Sequence, residues 1–381
     1  MKILLTGVET QNKGAELMLY AILQEIERKY PRAIVYMPKS RIKQGISYVK
    51  TGANLKYWPF YELSFKLHLF KIFRSFKLPY AFMPYMISVR DADVFFDASG
   101  FSISDQFSIS DSLVWFFNKQ LSCLKKRGCK IVYLPQAFGP IEKPNTKNVL
   151  NAIGSNETLI MPREKVSYKY LCDSGLCKSE TIKMYPDFTS LVDGVIPQQY
   201  EYLRDGLCVI PNRQMIRKGA VSKEQYIELI KLIILQGNKT KHKVYLLNHE
   251  GVMDEKLCIE LRKELNNQIE VVTGLNALEV KGLISTAFLV VSSRFHGVAS
   301  ALNTCVPCLA TSWSHKYKEL FSDYNQTDCI LPLNNNEGAL LKVEEYLRDD
   351  VNNSIRKDLS VCVPLIKEKT RQMWETVWSN I

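Results

Sequence analysis

Short apolar runs alternate with longer amphipathic segments along this chain of 381 residues. The apolar runs have the length of β-strands, and the segments between them place apolar residues at the spacing of a helix. Between the first two runs, for example, Ala15, Leu19 and Ile22 lie on one face of a helix predicted over residues 15–28. This alternation is typical of a parallel sheet covered by helices, so the chain is predicted to have an α/β fold.

The predicted strands form two groups, one in each half of the chain. The first group lies at residues 3–6, 34–37, 94–97, 131–134 and 159–161. The second group lies at residues 207–210, 244–247, 269–272, 288–291 and 308–310. A chain of this length exceeds one typical domain, and its periodicity breaks near Pro197. We therefore expect domains over 1–195 and 196–354, with terminal helices over 355–381.

The chain carries an excess of basic residues. Lys and Arg total 50 against 39 Asp and Glu, which gives a net charge of +11. The excess indicates either a protein that is simply basic or an anionic partner, such as a nucleic acid, an acidic membrane surface or a phosphorylated and carboxylated small molecule. No nucleic-acid-binding module is recognisable in the sequence, so a nucleic-acid partner is not expected.

The cysteines and the N-terminus predict a reduced, cytoplasmic protein. Cys305 and Cys308 form a C-x-x-C pair inside an apolar run, but no second pair lies nearby, so buried free thiols are expected rather than a metal site. The N-terminal apolar stretch is too short for a secretory signal, and no run of about 18 apolar residues predicts a transmembrane helix. No His and carboxylate cluster has metal-ligand spacing either, so no metal is expected.

Residues 60–89 mix aromatic, aliphatic and basic side chains. The mixture consists of Phe65, Leu67, Leu69, Phe70, Ile72, Phe73 and Phe76 among Lys66, His68, Lys71, Arg74 and Lys77. A basic helix of this composition can lie on an anionic membrane surface. It can also pack on its own domain, with the lysine stems covering apolar surface. The sequence is therefore compatible with two interpretations: a peripheral contact with the inner face of the membrane, and a simple surface helix.

The strongest indication of chemistry lies where the apolar strand over 288–291 meets a helix rich in small residues. Ser293 is the predicted N-cap of that helix, whose free N–H groups and dipole attract anions. Arg294 adds a planar guanidinium suited to a carboxylate or phosphate, and His296 can donate to an anion or move a proton. Either residue alone would more often be structural, but both together at a strand end favour an anion-binding site.

Other polar residues follow predicted strands or open the first helix. Asn12 and Lys13 lie in a polar loop before the first helix, although the loop lacks the glycine spacing of a nucleotide-binding motif. The remaining candidates after strands are Asp97, Asp105, Gln136, Arg163, Arg213 and His249. Each is a weak signal alone, but the carboxyl ends of parallel strands meet at one edge of a sheet, where ligands bind.

In sequence order, these residues resemble the polysaccharide pyruvyl transferase family. The resemblance rests on Asn12-Lys13-Gly14-Ala15-Glu16, Leu134-Pro135-Gln136 through Gly139-Pro140, Arg163-Glu164 with Ser167, Ser293-Arg294-Phe295-His296-Gly297, and Val306-Pro307 followed by Lys316 in Trp313-Ser314-His315-Lys316-Tyr317. It spans roughly residues 1–340, and the Ser-Arg-Phe-His-Gly stretch is its most specific part. The chain departs from the family at Asp97-Ala98-Ser99-Gly100, where a glycine pair is usual.

The resemblance implies two Rossmann-like, doubly wound domains that face each other across a cleft, as in glycosyltransferases of the B type. The first domain would be the acceptor side and the second the donor side. The implied reaction moves the enolpyruvyl group of phosphoenolpyruvate onto sugar hydroxyls of a surface polysaccharide and releases phosphate, without a metal or cofactor. The acceptor would be a sugar or lipid-linked oligosaccharide, and the product either a pyruvate ketal or an open enolpyruvyl ether.

Within this scheme Arg294 would hold the carboxylate or phosphate of the donor, and His296 is the first choice for proton donor or phosphate partner. Asp97 or Asp105 would be the base that activates the acceptor hydroxyl. The predicted substrate-binding residues are Asn12, Lys13, Gln136, Arg163, Arg213, His249, Ser293 and Lys316. Two alternatives are a glycosyltransferase that uses a nucleotide sugar and a non-catalytic, membrane-surface glycan-binding protein.

Overall fold

The computed structural model describes residues 1–38, 54–57, 67–79, 82–83, 90–312 and 315–381. The chain divides into two compact units, each with its own parallel sheet. The first unit consists of Met1–Thr10, Met18–Phe188 and Lys369–Ile381, and the second of Gln11–Leu17 and Thr189–Glu368. The predicted boundary after residue 195 thus falls a few residues late. The prediction also missed that a short N-terminal segment belongs to the second unit and that the last residues belong to the first.

The sheet of the first unit has the strand order β3-β2-β1-β4-β6-β5, with β7 also paired to β6. Its strands are β1 (Lys2–Thr6), β2 (Ile34–Met37), β3 (Asn54–Tyr57), β4 (Val94–Asp97), β5 (Phe101–Ile103), β6 (Lys130–Phe138) and β7 (Leu159–Pro162). The helices that begin in this half of the chain are α1 (Lys13–Lys29), α2 (Leu69–Ser75), α3 (Asp111–Lys126), α4 (Pro144–Gly154) and α5 (Lys165–Ser174). All the strand pairs are parallel, and Thr6 is in register with Asp97.

The sheet of the second unit has the strand order β10-β9-β8-β11-β12, again with parallel pairs. Its strands are β8 (Leu207–Ile210), β9 (Val244–Leu247), β10 (Glu270–Val272), β11 (Leu289–Ser292) and β12 (Cys308–Ala310). The following helices are α6 (Gln214–Arg217), α7 (Lys223–Gly237), α8 (Gly251–Glu264), α9 (Ala277–Ser285), α10 (Phe295–Asn303), α11 (His315–Asp323), α12 (Asn336–Tyr346) and α13 (Asp349–Ser379). The strand order reverses between β8 and β11, and ligands bind at such a switch point in doubly wound folds.

The predicted α/β class with Rossmann-like, doubly wound sheets is confirmed. Strands such as β4, β8 and β11 were found from sequence because all their residues are buried. Strands covered on both faces read as continuous apolar runs rather than alternating ones. The short strands β3 and β5 were missed, and α13 begins before residue 355.

The predicted strand over 131–134, taken to stop at Pro135, ends too early, because β6 continues to Phe138. The pairing of β6 with β7 shifts register between Tyr133 and Gln136. Proline is tolerated inside a strand at such an irregularity, since no ladder hydrogen bond is needed there. Gln136 therefore lies within a buried strand rather than in a loop at its end.

The basic and aromatic stretch predicted over 60–89 lies partly outside the described residues, which include only 67–79 and 82–83 of it. Within them α2 is a short helix of seven residues. None of the helices in the described part of the chain is long and apolar enough to cross a membrane.

Candidate active site

Ser293 fixes the junction between β11 and α10 from inside the second unit. Its hydroxyl is buried against the Tyr226 hydroxyl, with an O–O distance of 2.6 Å, and also contacts the hydroxyl of Thr311. Its carbonyl accepts hydrogen bonds from Asn212 Nδ2 and the Tyr317 hydroxyl, each at 2.8 Å. These bonds use both polar groups of Ser293 inside the unit, so the residue supports the loop that carries its neighbours.

The prediction that Ser293 caps α10 is wrong. Arg294 occupies the N-cap position, and no side chain caps the helix there. The hydroxyl of Ser292 instead accepts the N–H of Arg294 at 3.0 Å and lies 3.0 Å from its carbonyl oxygen. This local bonding holds the backbone of Arg294 extended between the end of β11 and the start of α10.

Two carboxylates hold the guanidinium of Arg294. Asp254 Oδ2 accepts from Nε at 2.8 Å and from Nη2 at 2.5 Å, and Glu250 pairs with Nη1. The Asp254 side chain is only 1% exposed and also accepts the backbone N–H of Arg213 at 3.0 Å, whereas that of Glu250 is 27% exposed. Asp254 is thus the fixed partner and Glu250 the accessible one.

Burial shifts the ionisation of this pair in opposite directions. It lowers the pKa of Arg294 to about 10, so the guanidinium stays charged at neutral pH. It raises the pKa of Asp254 above its ordinary value, while the N–H and the charge of Arg213 act against that rise. Burying both charges costs free energy that only their mutual pairing offsets.

His249 lies at the end of β9, with a buried imidazole. Within the described residues its Nδ1 atom has no hydrogen-bond partner. Burial lowers the pKa of His249 well below its usual value, and the positive charges of Arg294, His296 and Lys13 lower it further. The ring is therefore neutral at pH 7, and a buried polar atom of this kind indicates space for a ligand or an ordered water.

The first turn of α1 completes the site from the N-terminal end of the chain. Asn12 Oδ1 accepts the N–H groups of Gly14 at 2.9 Å and Ala15 at 3.3 Å, which caps the helix. The N–H of Lys13 donates to the carbonyl of His249 at 3.3 Å, so the turn is attached to the end of β9. Gly14 lies so close to His296 that a Cβ there would be 2.1 Å from the Nδ1 atom of the histidine.

The ammonium group of Lys13 forms a buried ion pair with Glu16, with Nζ 2.7 Å from Oε2. Burial raises the pKa of Glu16, and the hydrogen bond and charge of Lys13 oppose the rise. On α11, Lys316 Nζ lies 5.7 Å from the ring centroids of both Phe295 and Tyr317, within the range of a cation–π contact. Trp313 and Ser314, which precede this helix in the predicted motif, lie outside the described residues.

The structure thus brings most of the predicted site residues into the second unit. They are Asn12, Lys13, Arg213, His249, Ser293, Arg294, His296 and Lys316. Sequence reasoning missed Glu250 and Asp254, which pair with Arg294. One signal could have found them: two acids four residues apart, directly after a buried strand, lie on one face of the next helix.

Asp97 and Gln136 lie in the first unit, Asp97 as the last residue of β4 and Gln136 within β6. The carboxylate of Asp97 accepts from Thr6 Oγ1 at 3.0 Å, Ser99 N–H at 3.2 Å, Ser99 Oγ at 3.0 Å and Gln136 Nε2 at 3.1 Å. A carboxylate has about four acceptor positions, so these donors occupy them. The arrangement ties the carboxyl ends of neighbouring strands together and leaves little capacity for accepting a substrate proton.

Asp105 and Arg163 also have partners within the first unit. Asp105 accepts the N–H groups of Glu142 at 2.6 Å and Lys143 at 3.1 Å. Burial acts to raise the pKa of Asp105, but the Glu142 N–H and the Thr146 hydroxyl outweigh it, and the net pKa is lowered. Arg163 is buried, with Nη1 3.9 Å from Asp187 Oδ2. A lowered pKa makes Asp105 a weaker base than an ordinary carboxylate.

A groove with a volume of about 520 Å³ lies beside the loop that Asp105 supports. It is lined by Phe107, Ser108, Ile109, Ser110, Lys143, Pro144, Asn145 and Thr146. The lining combines an aromatic ring with several hydroxyl and amide groups, a combination that suits a polar ligand such as a sugar.

The family model of polysaccharide pyruvyl transferases matches residues 12–315 of the chain. The match runs from the first turn of α1 to the start of α11, and so includes nearly all the residues of the site described above. No curated protein matches the chain in sequence.

Several solved structures share the fold of the whole chain at low sequence identity. HepE from Anabaena, in complex with UDP and glucose, is 12% identical, with a TM-score of 0.62 and full coverage of both chains. A putative UDP-N-acetylglucosamine 2-epimerase from Listeria monocytogenes is 10% identical, with a TM-score of 0.65 and coverage of 99% of this chain and 95% of that one. UDP-GlcNAc 2-epimerase from Neisseria meningitidis, bound to UDP-GlcNAc, is 10% identical, with a TM-score of 0.62 and full coverage of both chains. At these identities the likeness concerns the fold alone.

Proposed function

Since the chain belongs to the polysaccharide pyruvyl transferase family and is therefore a transferase, we propose that it moves the enolpyruvyl group of phosphoenolpyruvate onto sugar hydroxyls of a surface polysaccharide. The observation that carries this proposal is the convergence of Arg294, His296, His249 and Lys13 in the second unit. Phosphoenolpyruvate carries a carboxylate and a phosphate, and guanidinium and ammonium groups are the side chains that bind such anions.

Arg294 is the proposed anchor for one anionic group of the donor. Its pairing with the more exposed Glu250 is the contact that a bound carboxylate or phosphate would replace, whereas its bonds to the buried Asp254 would persist. Arg213, whose backbone is held by the same Asp254, lies close enough to contribute a second positive charge. A guanidinium fixed by a buried carboxylate gives a preorganised anion site, which loses little side-chain entropy on binding.

The proposed reaction begins with a proton added to the methylene carbon of phosphoenolpyruvate. A sugar hydroxyl then adds to the neighbouring carbon and loses its proton, and phosphate leaves with the C–O bonding pair. A second hydroxyl adds to the same carbon, loses its proton to the released phosphate and closes a pyruvate ketal. One donor and one diol thus give one ketal and one phosphate. His296 is the proposed proton donor or phosphate partner. His249 lies near it as a neutral ring, whose protonation is disfavoured by burial.

The first unit is proposed to supply the acceptor side, with the groove lined by residues 107–110 and 143–146 as the candidate sugar site. The roles predicted for Asp97 and Asp105 as bases are not favoured by their surroundings, because both carboxylates already accept several hydrogen bonds.

We further propose that the reaction needs no cofactor or metal, since the basic side chains of the site supply positive charge where a divalent cation would otherwise do so. Within the described residues no group of three or more His, Cys, Asp or Glu could hold a metal ion. The ten cysteines, including Cys305 and Cys308, are free thiols, which fits the proposed cytoplasmic location.

A nucleotide-sugar glycosyltransferase is the second candidate, and the structural likeness to HepE in complex with UDP and glucose favours it. The same cations could bind a diphosphate as well as phosphoenolpyruvate. Membership of a transferase family overturns the third alternative, a non-catalytic glycan-binding protein.

A thermal-shift titration separates the two enzymatic candidates. Ligands that bind only the folded protein raise its melting temperature. At a hundredfold excess over Kd such a ligand adds about 2.7 kcal/mol to the free energy of unfolding. We expect stabilisation by phosphoenolpyruvate and none by UDP, UDP-glucose or UDP-N-acetylglucosamine, with pyruvate and inorganic phosphate as partial-ligand controls. Stabilisation by the UDP compounds alone would replace pyruvyl transfer with glycosyl transfer.

A further inference from the structure

The helix α2 has apolar residues on two faces, and only one of them packs on the protein. Phe70 and Phe73, one helical turn apart, pack against the core of the first unit. The Phe70 ring meets the Phe116 ring of α3 edge-on, with the centroids 6.2 Å apart. Ile72 and Phe76, which are four residues apart, lie on another face and are exposed.

Further exposed apolar side chains lie next to the helix in the sequence. Phe76 is 73% exposed and Phe82 is 66% exposed, and Leu67, Ile72 and Leu78 are also exposed large apolar side chains. Burying a large apolar side chain is favourable, so several of them left in water within one short stretch of the chain are available to a partner. Exposed apolar clusters of this kind mark interaction sites.

The charges around these side chains have one sign. Lys71, Arg74 and Lys77 are exposed among the apolar residues, and the sequence from 67 to 83 contains no acidic residue. One polar contact of this stretch among the described residues is long: Arg74 Nη1 lies 3.5 Å from the hydroxyl of Ser112. A second copy of this face would bring like charges together, so self-association through it is opposed by electrostatic repulsion.

We propose that Leu67, Ile72, Phe76, Leu78 and Phe82, with Lys71, Arg74 and Lys77, form a membrane-docking surface for an anionic lipid bilayer. The aromatic and aliphatic side chains would enter the boundary between headgroups and acyl chains, and the basic side chains would meet the phosphates. Each Lys or Arg near an anionic bilayer strengthens binding through its attraction to the lipid phosphates. The proposal is independent of the donor chemistry, and it would place the enzyme where a lipid-linked acceptor is found.

Co-sedimentation of the full chain with vesicles tests the proposal. We expect binding to vesicles of phosphatidylcholine mixed with phosphatidylglycerol, weakening with salt, and little binding to phosphatidylcholine alone. The variants Phe76→Ser/Phe82→Ser and Lys71→Glu/Lys77→Glu should each lower the vesicle affinity at least about tenfold. The matched control Val361→Ser/Leu365→Ser removes two exposed apolar side chains of α13 and should bind as the wild type does.

Three outcomes would overturn the proposal. The first is a wild-type protein that does not bind anionic vesicles. The second is a Phe76→Ser/Phe82→Ser variant that binds them as the wild type does. The third is a concentration-dependent dimer on size-exclusion chromatography that the same variant abolishes, which would identify a self-interface. Melting temperatures equal to that of the wild type verify that the variants are folded. If the protein is stabilised by phosphoenolpyruvate but does not bind vesicles, the membrane proposal fails while the proposed function stands.

Discussion

Four strands of each sheet, β3-β2-β1-β4 and β10-β9-β8-β11, follow the same order, yet the carboxyl ends of the central strands carry different chemistry. In the first unit, Asp97 is surrounded by neutral donors, and its carboxylate is satisfied within the unit. In the second unit, Arg294 is held by carboxylates, and His249 presents a buried nitrogen without a partner among the described residues. The comparison teaches that the sheet topology determines where a site can lie. Whether a ligand binds there depends on the charge of the side chains and on whether their hydrogen-bonding groups already have partners.

The largest effect is expected from Arg294→Ala. Removing one partner of a buried ion pair costs about 3–5 kcal/mol, because Asp254 is left without its compensating charge. Loss of the proposed donor anchor should also reduce kcat/KM for phosphoenolpyruvate by about 10²–10³-fold. Denaturant unfolding and initial-rate kinetics measure the two effects, and normal donor affinity in this variant would refute the site assignment.

Gly14→Ala should reduce turnover by about 10²-fold, since a Cβ at this position would meet His296 Nδ1 at 2.1 Å and force the ring to move. Donor affinity should change less, because Arg294 is held separately. The matched control is Gln24→Ala on an exposed position of the same helix. Equal kcat in the two variants would show that His296 does not take part in the reaction.

Asp254→Asn should weaken donor affinity by about tenfold, since a neutral amide no longer fixes the guanidinium through charge-assisted hydrogen bonds. Glu250→Gln should weaken it less, or strengthen it, because Glu250 competes with the donor for Arg294. Calorimetric titration with phosphoenolpyruvate measures both affinities, and Asp254→Glu tests for partial rescue. Equal losses in the Asp254 and Glu250 variants would contradict the distinction between a fixed and an accessible carboxylate.

Asp97→Asn should destabilise the protein by about 1–3 kcal/mol and leave stabilisation by phosphoenolpyruvate unchanged, because this carboxylate joins strands of the first unit. Asp91→Asn is the matched control, as its ion pair with Lys2 is exposed and should contribute little. Chemical denaturation gives the stabilities. If Asp97→Asn keeps full stability but loses turnover, the carboxylate is catalytic after all.

The smallest effect concerns pH. The pKa of His249 is lowered on folding, so the unfolded chain binds its proton more readily, and stability falls as pH drops below the unfolded value of about 6.5. The contribution is at most about 1.4 kcal/mol per pH unit. His249→Gln should therefore flatten the decline of the melting temperature between neutral and mildly acidic pH, with the exposed His68→Gln as control. An unchanged slope would show that His249 is not buried as a neutral ring.

Local patterns of sequence were enough to predict the α/β class and most strands, because a strand buried on both faces is a continuous apolar run. Local patterns also predicted that Arg294 and His296 lie where a strand meets a helix, because such a junction is a local feature of the sequence. Gln136 was misplaced because Pro135 was interpreted as a strand end, whereas a register shift accommodates it. A bulge depends on the neighbouring strand and leaves no signal of its own.

The sequence by itself therefore determined the family, the layered fold and the basic junction after β11. Only the tertiary structure decided which of the polar residues act together. It joined the first turn of α1 to the second unit, placed Gly14 against His296 and gave Arg294 its partner Asp254. The physical reason is that a buried charge or hydroxyl needs a hydrogen-bond or ion-pair partner, and that partner is often distant in the chain. The pattern of apolar residues along the sequence indicates which segments are buried, but it does not indicate which polar residues pair.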